Sequence, residues 1–204
     1  MKLLTKSLIF FTLAAHLQNI LEDLKQIIKE SARGDVRAQE KLYRMFASRM
    51  FGVCLRYSRD TTEAEDNLQE GFVKVFSNIK GFRHEGSFEG WVRRIMVNIS
   101  LEKFRKQQIM YPVEDVSIYE GQQLSNDILS DISAKELTGL IQELTPRYRM
   151  VFNLYIMEGL SHEEISKEMG ISVGTSKSNL ARARNILKGK VKELYGEAGK
   201  NNTA

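Results

Sequence analysis

Apolar positions recur at helical spacing through most of the chain. From Asp23 to Tyr57 they lie three or four residues apart, which predicts helix. A break follows, and Thr61 or Thr62 is expected to cap a second helix. Each helix has one apolar stripe, which predicts one buried face. The stripes consist of Leu42, Phe46, Met50, Val53 and Tyr57 in the first helix, and of Ala64, Leu68, Phe72, Val75 and Ile79 in the second.

A third helix completes the first predicted domain. Gly81 ends the second helix, and residues 82–86 predict a loop. Ser87 is the expected N-cap, because a serine hydroxyl accepts hydrogen bonds from the unpaired N–H groups of a first helical turn. The pattern ends at Lys106, so this domain is predicted to cover residues 23–106. The expected inner side of the third helix holds Phe88, Trp91, Ile95 and Ile99.

Helical periodicity is lost over residues 107–134. This segment holds Pro112 and Gly121, several serines, five acidic residues and no lysine or arginine. The composition predicts a flexible acidic linker rather than a packed element.

Periodicity resumes at Lys135 and predicts four shorter helices over residues 135–195. The first is amphipathic, and the second begins at Thr145-Pro146, with threonine as the cap and proline at the first position. The remaining boundaries come from a glycine stop, a serine–glutamate capping box, a second glycine and a last helix. These features are Gly159, Ser161 with Glu164, Gly170, and the segment from about Val173 to Lys192.

The pattern therefore predicts an all-α protein. Two small helical domains are joined by the flexible acidic linker. An N-terminal extension over residues 1–22 and a tail over residues 196–204 lie outside both domains. The presence of only two prolines among 204 residues agrees with a largely helical chain.

The charge distribution indicates two anion-binding modules. The net charge is +4, which permits an anionic partner without requiring one. Residues 1–106 carry 19 Lys/Arg against 13 Asp/Glu, and residues 135–204 carry 11 against eight. Because the acidic linker lies between these two basic blocks, each block is expected to bind an anion that the linker avoids.

Side chains able to perform catalysis do not converge in the sequence. The single cysteine, Cys54, lies in an apolar stretch and predicts a buried reduced thiol without a disulfide. The histidines, His16, His84 and His162, are scattered. No catalytic residue, metal, cofactor or small-molecule substrate is therefore expected.

The first residues resemble a signal peptide. Lys2 and Lys6 precede an apolar run over residues 7–15. The run is too short to span a bilayer, so an upstream start codon or an extra helix is the preferred interpretation. The rest of the chain predicts a cytoplasmic protein.

The last two helices predict a helix-turn-helix, joined at Gly170. In the last helix one side is apolar, at Val173, Leu180, Ala183 and Leu187. The residues from Gly174 to Lys192 include six Lys/Arg and no acid. This favours phosphate contacts from a basic flank and base contacts from an outward row, whereas a merely solvated or protein-binding face is the alternative. The candidate DNA-binding residues are Gly174, Thr175, Lys177, Ser178, Arg182 and Arg184.

Two further surfaces are predicted in the first domain. On the second helix, an exposed valine among acids and an amide indicates a partner surface or scattered exposed apolar residues. Its residues are Asp66, Gln69, Glu70 and Val73. On the loop and third helix, aromatic residues alternate with cations, which is typical of single-stranded nucleic-acid binding. Burial of Phe88 and Trp91 in the core is the alternative. The aromatic and basic residues are Phe82, His84, Phe88 and Trp91 with Arg83, Arg93, Arg94, Lys103, Arg105 and Lys106.

Four segments together resemble bacterial RNA polymerase sigma factors of the sigma-70 superfamily. Residues 64–76 (AEDNLQEGFVKVF) are similar to region 2.2, and residues 88–98 (FEGWVRRIMVN) to region 2.3. Residues 144–149 (LTPRYR) and 164–175 (EISKEMGISVGT) are similar to region 4. Their order and spacing resemble the extracytoplasmic-function (ECF) group, which keeps only domains 2 and 4. Departures from the family pattern occur at Ser166, Ser176 and Asn179.

The resemblance implies a role for each surface. The surface of Asp66, Gln69, Glu70 and Val73 would dock on the β′ clamp helices of core RNA polymerase. The residues Phe82, His84, Trp91, Arg94, Asn98, Arg105 and Lys106 would melt the promoter −10 element and hold its unpaired strand. The last helix would bind the duplex −35 element. An anti-sigma factor is a further expected partner.

Three other functions remain open from the residues. A free-standing helix-turn-helix regulator would bind duplex operator DNA without polymerase. A small recombinase would need a nucleophile or a set of metal-binding carboxylates, and Asp66 and Glu70 lack such partners. A secreted helical protein is supported by residues 1–22 alone.

Overall fold

The structure, a computed structural model, describes residues 22–110 and 133–198, with side chains for 22–107 and 133–195. Within these ranges the chain is helical and contains no strand. The predicted linker beyond residue 110, most of the N-terminal extension and the end of the tail lie outside the described residues. The helices are α1 (residues 22–32), α2 (Val36–Tyr57), α3 (Thr61–Asn78), α4 (Phe88–Met110), α5 (Ala134–Gln142), α6 (Pro146–Ile156), α7 (His162–Met169) and α8 (Val173–Ala198).

The expected continuous helix from Asp23 to Tyr57 is wrong, because the chain turns between α1 and α2. Gly34 adopts φ +91°, a conformation that L side chains rarely tolerate. Asp35 then caps α2, its carboxylate accepting a hydrogen bond from the Ala38 N–H at 2.8 Å. A left-handed glycine and a new cap therefore interrupt a pattern whose apolar spacing continues across the break.

The cap of α3 is Asp60 rather than Thr61 or Thr62. The Asp60 carboxylate accepts a hydrogen bond from the Glu63 N–H at 2.8 Å, and Thr61 is already helical. This hydrogen bond is the main cause that lowers the pKa of Asp60. All five positions of the predicted apolar stripe are buried, which confirms the face, although the last of them, Ile79, follows the end of α3.

Helices α2, α3 and α4 pack against one another, and their buried residues belong to one core that continues into the last four helices. The five predicted core positions of α2 are buried. The inner face of α4 is centred one residue away from the prediction. Val92 and Met96 are fully buried, whereas Trp91 and Ile95 are only partly buried. Cys54 lies in this core, where burial raises the pKa of its thiol to about 12, as expected for an unreactive cysteine.

Helices α5 to α8 form a second group of packed helices, with α6 and α8 in extensive contact. The capping box of Ser161 and Glu164 at α7 is confirmed, and Gly170 ends α7 at φ +66°. Thr145 occupies the N-cap position of α6, but its side chain makes no capping hydrogen bond. Helix α8 runs to Ala198, beyond the predicted end at Lys192, and α4 runs to Met110, beyond Lys106.

The two groups of helices also pack on each other. Helix α2 contacts α5 and α6, and α4 contacts α7. Side-chain amides of the second group bind the last turn of α2: Gln142 donates to the Leu55 carbonyl at 3.1 Å, and Asn153 donates to the Arg56 carbonyl at 2.7 Å. These carbonyls have no partner within their own helix, so the contact satisfies groups that would otherwise require water.

No helix in residues 22–110 or 133–198 combines the length and the apolar composition that crossing a bilayer requires.

Gly71 in α3 tests the packing of α3 on α4. A Cβ atom built there would lie 2.0 Å from the Met96 sulfur. We expect Gly71→Ala to lower the free energy of unfolding by about 1 kcal/mol or more, because overpacking a core outweighs the helix propensity that alanine adds. Urea unfolding followed by circular dichroism measures this change.

Gly52 in α2 provides the matched control. It also lies inside a helix, but a Cβ atom there would meet nothing within 4 Å. Gly52→Ala is expected to raise the free energy of unfolding by about 0.5–1 kcal/mol. Equal effects of the two substitutions would contradict the tight α3–α4 contact.

Candidate nucleic-acid interface

The α7–turn–α8 unit is built by local hydrogen bonds. Gly170 closes α7 in the left-handed conformation, and the Ser172 hydroxyl accepts from the Thr175 N–H at 2.9 Å at the start of α8. Ser166 donates to the Ile171 carbonyl at 2.5 Å. The serine at this departure from the family pattern therefore fastens the turn between the two helices.

A second departure from the family pattern, Ser176, joins α7 and α8 directly. Ser176 is fully buried, and its hydroxyl lies 2.9 Å from Nδ1 of His162 at the start of α7. The His162 ring stacks on Tyr155 with ring centroids 4.6 Å apart. Burial and then Lys177 lower the pKa of His162, which favours its neutral ring. The sequence pattern does not predict this contact, because His162 and Ser176 lie on different helices, 14 residues apart.

Asn179, the remaining departure, is buried in α8 beside this contact. Its side-chain Nδ2 has no hydrogen-bond partner within the described part of the chain. Leu180, Ala183 and Leu187 are buried as predicted. These residues fix the side of α8 that faces α6, and thereby the side that faces outward.

The predicted DNA-reading residues lie at the outer start of α8. Gly174 and Lys177 are exposed, and Thr175, Ser178, Arg182 and Arg184 are half-buried. Arg182 donates to the Tyr148 hydroxyl at 3.3 Å, and the Arg184 guanidinium lies 5.7 Å from the Tyr155 ring centroid. The two arginines are therefore held by tyrosines of α6, which limits their rotamer freedom.

An aromatic cluster surrounds the start of α4. The Phe82 ring lies 4.5 Å from His84, 5.2 Å from Phe88 and 5.6 Å from Trp91, measured between ring centroids. His84 is exposed at φ +58°, an uncommon backbone conformation for a residue with a side chain. Phe88 is buried in the core, as the alternative interpretation held, whereas Trp91 is half-buried.

An open pocket of about 400 Å³ lies beside this cluster. Phe82 and Trp91 supply aromatic walls, Arg94 supplies a cation, and Gly86 and Gly90 leave room at the rim. The Ser87 hydroxyl accepts from the Gly90 N–H at 3.0 Å, which confirms Ser87 as a capping residue of α4. Such a pocket offers a surface for stacking and a charge that can hold a phosphate.

Basic residues extend from the pocket along α4. Arg94, Asn98 and Arg105 are exposed and lie four and seven residues apart, which places them on one face of the helix. Lys106 lies on a neighbouring face and pairs with Glu102 at 2.9 Å. Hydrogen bonds from Lys74 and then Lys106 lower the pKa of Glu102 to about 2.

The predicted partner surface of α3 is largely exposed. Asp66, Gln69 and Val73 face solvent, and Val73 is 66% exposed. Glu70 is half-buried and pairs with Lys103 at 3.2 Å and with Lys74 at 3.5 Å. These pairs join α3 to α4 and orient Glu70, and they also commit Lys103 within the domain.

Arg93, like Lys103, is placed differently from what the sequence interpretation expects. It does not line the aromatic pocket; it points to the end of α6, where it binds Glu158 through Nε at 2.8 Å and Nη2 at 2.9 Å. Nη2 also donates to the Met157 carbonyl at 2.8 Å, and the Tyr57 hydroxyl donates to Glu158 at 3.2 Å. This network could not be predicted from spacing, since Arg93 and Glu158 are 65 residues apart.

Metal-binding side chains do not gather in the described ranges. No group of three or more His, Cys, Asp or Glu residues there could hold a metal ion.

Comparison with family models gives two matches in the same order as the predicted regions. Residues 42–109 match sigma-70 region 2, a range that includes most of α2, all of α3 and most of α4. Residues 134–187 match sigma-70 region 4, which covers α5 to α7 and the first half of α8.

Comparison with known proteins gives relatives over nearly their full length. The chain is 30% identical over 189 residues to the RNA polymerase sigma-H factor of Pseudomonas aeruginosa, covering 87% of this chain and 98% of the relative. It is 29% identical over 183 residues to the ECF RNA polymerase sigma factor SigW of Bacillus subtilis, covering 84% and 98%. A solved structure of the sigma factor RpoE with the anti-sigma factor NepR from Bartonella quintana aligns at 23% identity and TM-score 0.46, covering 77% and 98%.

Sigma factors bind core RNA polymerase and direct promoter recognition and DNA melting at transcription initiation. The regional matches and the full-length relatives agree on this family. The chain belongs to the sigma-70 family of RNA polymerase sigma factors, within its extracytoplasmic-function group.

Proposed function

We propose that this sigma factor divides promoter recognition among three of its helices. Helix α3 binds core polymerase through Asp66, Gln69, Glu70 and Val73. The loop before α4 and the outer face of α4 hold the unpaired −10 strand, and the start of α8 reads the duplex −35 element.

The pocket at the start of α4 is the observation that carries this proposal. Its aromatic walls, Phe82 and Trp91, provide a surface on which an unpaired base stacks. Arg94 stands at its edge, and Asn98 and Arg105 continue along the same face, so a strand entering the pocket finds cations for its phosphates. A base that has left the duplex pays an unstacking cost of about a few kcal/mol, which contacts in the pocket offset.

The start of α8 supports the −35 assignment through its division of charge and polarity. Exposed Gly174 lets DNA approach the helix start, and exposed Lys177 is placed for a phosphate. Arg182, held by Tyr148, is placed for a base edge. A metal-dependent recombinase is not favoured, because the described residues bring together no group of three or more metal-binding side chains.

The proposal also covers what the protein does not do and where it works. We infer an initiation factor without catalysis of its own and without a cofactor. A protein that works with RNA polymerase on DNA works in the cytoplasm. An anti-sigma factor is a further expected partner, and co-purification would identify it.

Val73 tests the polymerase surface. We expect Val73→Asp to weaken binding to core RNA polymerase about tenfold or more, about 1.4 kcal/mol, because a carboxylate would replace an apolar contact. The affinity is measured from the binding of purified core enzyme to the immobilised sigma factor. The matched control is Val36→Asp on α2, where Val36 is 74% exposed on a different face. The control should bind within about twofold of the parent; equal loss in both variants would contradict the α3 surface.

Arg94 and Asn98 test the single-strand surface in the polymerase-bound protein. We expect Arg94→Ala and Asn98→Ala each to weaken binding of a single-stranded −10 oligonucleotide by about 1–2 kcal/mol, while binding of a −35 duplex stays unchanged. Fluorescence anisotropy measures both. The control is Arg44→Ala, which removes an exposed cation from α2. Loss of duplex binding alone would show that these residues serve another role.

Lys177 and Arg182 test the α8 surface through salt dependence. Lys177→Ala should weaken binding of all duplexes alike and reduce the slope of log affinity against log salt by about one. Arg182→Ala should cost about 1–3 kcal/mol at one base pair and relax preference there. Tyr148→Phe, which removes the hydroxyl that Arg182 binds, separates loss of positioning from loss of the guanidinium. A uniform effect of Arg182→Ala on every sequence would contradict base reading.

A further inference from the structure

The polar contact between α7 and α8 lies where packing alone would place apolar side chains. Ser176 is fully buried on the inner side of α8, in the same row as Leu180 and Ala183. A buried hydroxyl destabilises the fold unless it forms a hydrogen bond. Ser176 forms this bond with His162 of α7, its Oγ lying 2.9 Å from Nδ1 of the ring. The other contacts of the His162 ring show what this buried pair can do.

The His162 ring lies against Tyr155 of α6. The two ring centroids are 4.6 Å apart and the ring planes are inclined by 25°, which is the geometry of a stacked pair. The torsion that turns an imidazole ring has broad energy minima, so the side chain alone does not fix the plane of the ring. A hydrogen bond at Nδ1 restricts this torsion. Ser176 therefore holds the His162 ring in the orientation in which it stacks on Tyr155.

The same tyrosine ring contacts Arg184 on the outer flank of α8. The Arg184 guanidinium carbon lies 5.7 Å from the Tyr155 ring centroid, within the range of a cation–π contact. Tyr155 and Arg184 are both half-buried, so water screens this contact only in part. Ser176, His162, Tyr155 and Arg184 thus form a chain of contacts that leads from the inner side of α8 to its outer flank.

Charge also connects the His162 ring to this flank. Burial and then Lys177 are the main causes that lower the pKa of His162, while Glu163 raises this pKa and Arg184 lowers it further. The two cations lower the pKa because a protonated ring would repel them. A neutral ring therefore adds no third, repelling cation to the flank that carries Lys177 and Arg184.

We propose that Ser176 and His162 are positioning residues that act through Tyr155 to hold Arg184 for contact with a phosphate of the −35 duplex. This inference deepens the proposed function and rests on its assignment of α8 to that duplex. An unrestrained arginine side chain loses rotamer entropy when it binds, which weakens binding. Because Tyr155 already restricts Arg184, less entropy remains to be lost on contact with DNA. Ser176 is a departure from the family pattern, so its hydrogen bond to His162 is not part of that pattern.

Binding of a labelled −35 duplex to the polymerase-bound sigma factor, measured at several salt concentrations, tests the proposal. Arg184→Ala should weaken binding and lower the slope of log affinity against log salt by about one, because one phosphate contact is lost. Ser176→Ala should weaken binding about threefold or more and lower the slope in the same direction. In the Arg184→Ala background, Ser176→Ala should have no further effect, because the group that it positions is absent.

Ser100 provides the matched control. It is also a buried helical serine, and its hydroxyl donates to the Met96 carbonyl at 3.1 Å within α4. Ser100→Ala should leave the affinity for the −35 duplex within about twofold of the parent and the salt slope unchanged.

Two paired substitutions separate positioning from loss of folding. His162→Phe with Ser176→Val keeps a ring for Tyr155 and leaves no buried hydroxyl without a partner, so it should restore the parental affinity and salt slope. His162→Ala with Ser176→Val removes the ring, and it should bind the duplex as weakly as Ser176→Ala.

The outcomes for positioning and for the proposed function differ. If Ser176→Ala leaves affinity and salt slope at the parental values, or weakens binding equally with and without Arg184→Ala, the positioning role is overturned and the proposed function stands. If Arg184→Ala itself changes neither affinity nor slope, the assignment of Arg184 in the proposed function is wrong, and the positioning role is overturned with it.

Discussion

Burial of one apolar stripe on each helix is the constraint on which every surface of this protein depends. Ala64, Leu68 and Phe72 turn α3 inward, and for that reason Asp66, Gln69 and Val73 turn outward. The same holds for α4, where burial of Val92, Met96 and Ile99 presents the Arg94–Asn98–Arg105 face to solvent. The absence of a side chain at Gly71 lets α3 approach Met96 of α4 closely enough to fix these directions. The surfaces proposed to face polymerase and DNA are thus both consequences of the same packed core.

The contact between the first helices and the last four helices is polar as well as apolar. It combines apolar packing with amide-to-carbonyl hydrogen bonds from Gln142 and Asn153 to the end of α2, and with charged bonds to Glu158.

Local patterns predicted much of the fold, because the determinants lie within a few residues. The buried stripe of α3 repeats every three or four residues. The capping box at Ser161 and the left-handed glycine at Gly170 involve only residues within one helical turn. The errors have local causes too. The apolar period continues across Gly34, so periodicity alone does not predict the break between α1 and α2. Asp60 caps α3 in place of the threonines that follow it. The inner side of α4 was displaced by one position, because Trp91 is large and apolar yet only half-buried.

The contacts that give the surfaces their detail could not be predicted, since they join residues far apart in the chain. Ser176 is buried, and its partner His162 lies on another helix, 14 residues away. Arg93 was grouped with the nucleic-acid-binding cations, whereas its partner Glu158 lies in the other domain. Burial patterns predict which side of a helix faces inward, but which charged groups meet across an interface depends on the arrangement of the whole helices.

Run-off transcription with purified core RNA polymerase on fragments of the source genome tests the central claim most directly. If the chain directs promoter recognition, adding it to core enzyme will produce discrete transcripts whose start sites share upstream sequences spaced as −35 and −10 elements. Absence of any transcript that depends on the chain, together with absence of binding to core enzyme, would contradict the account.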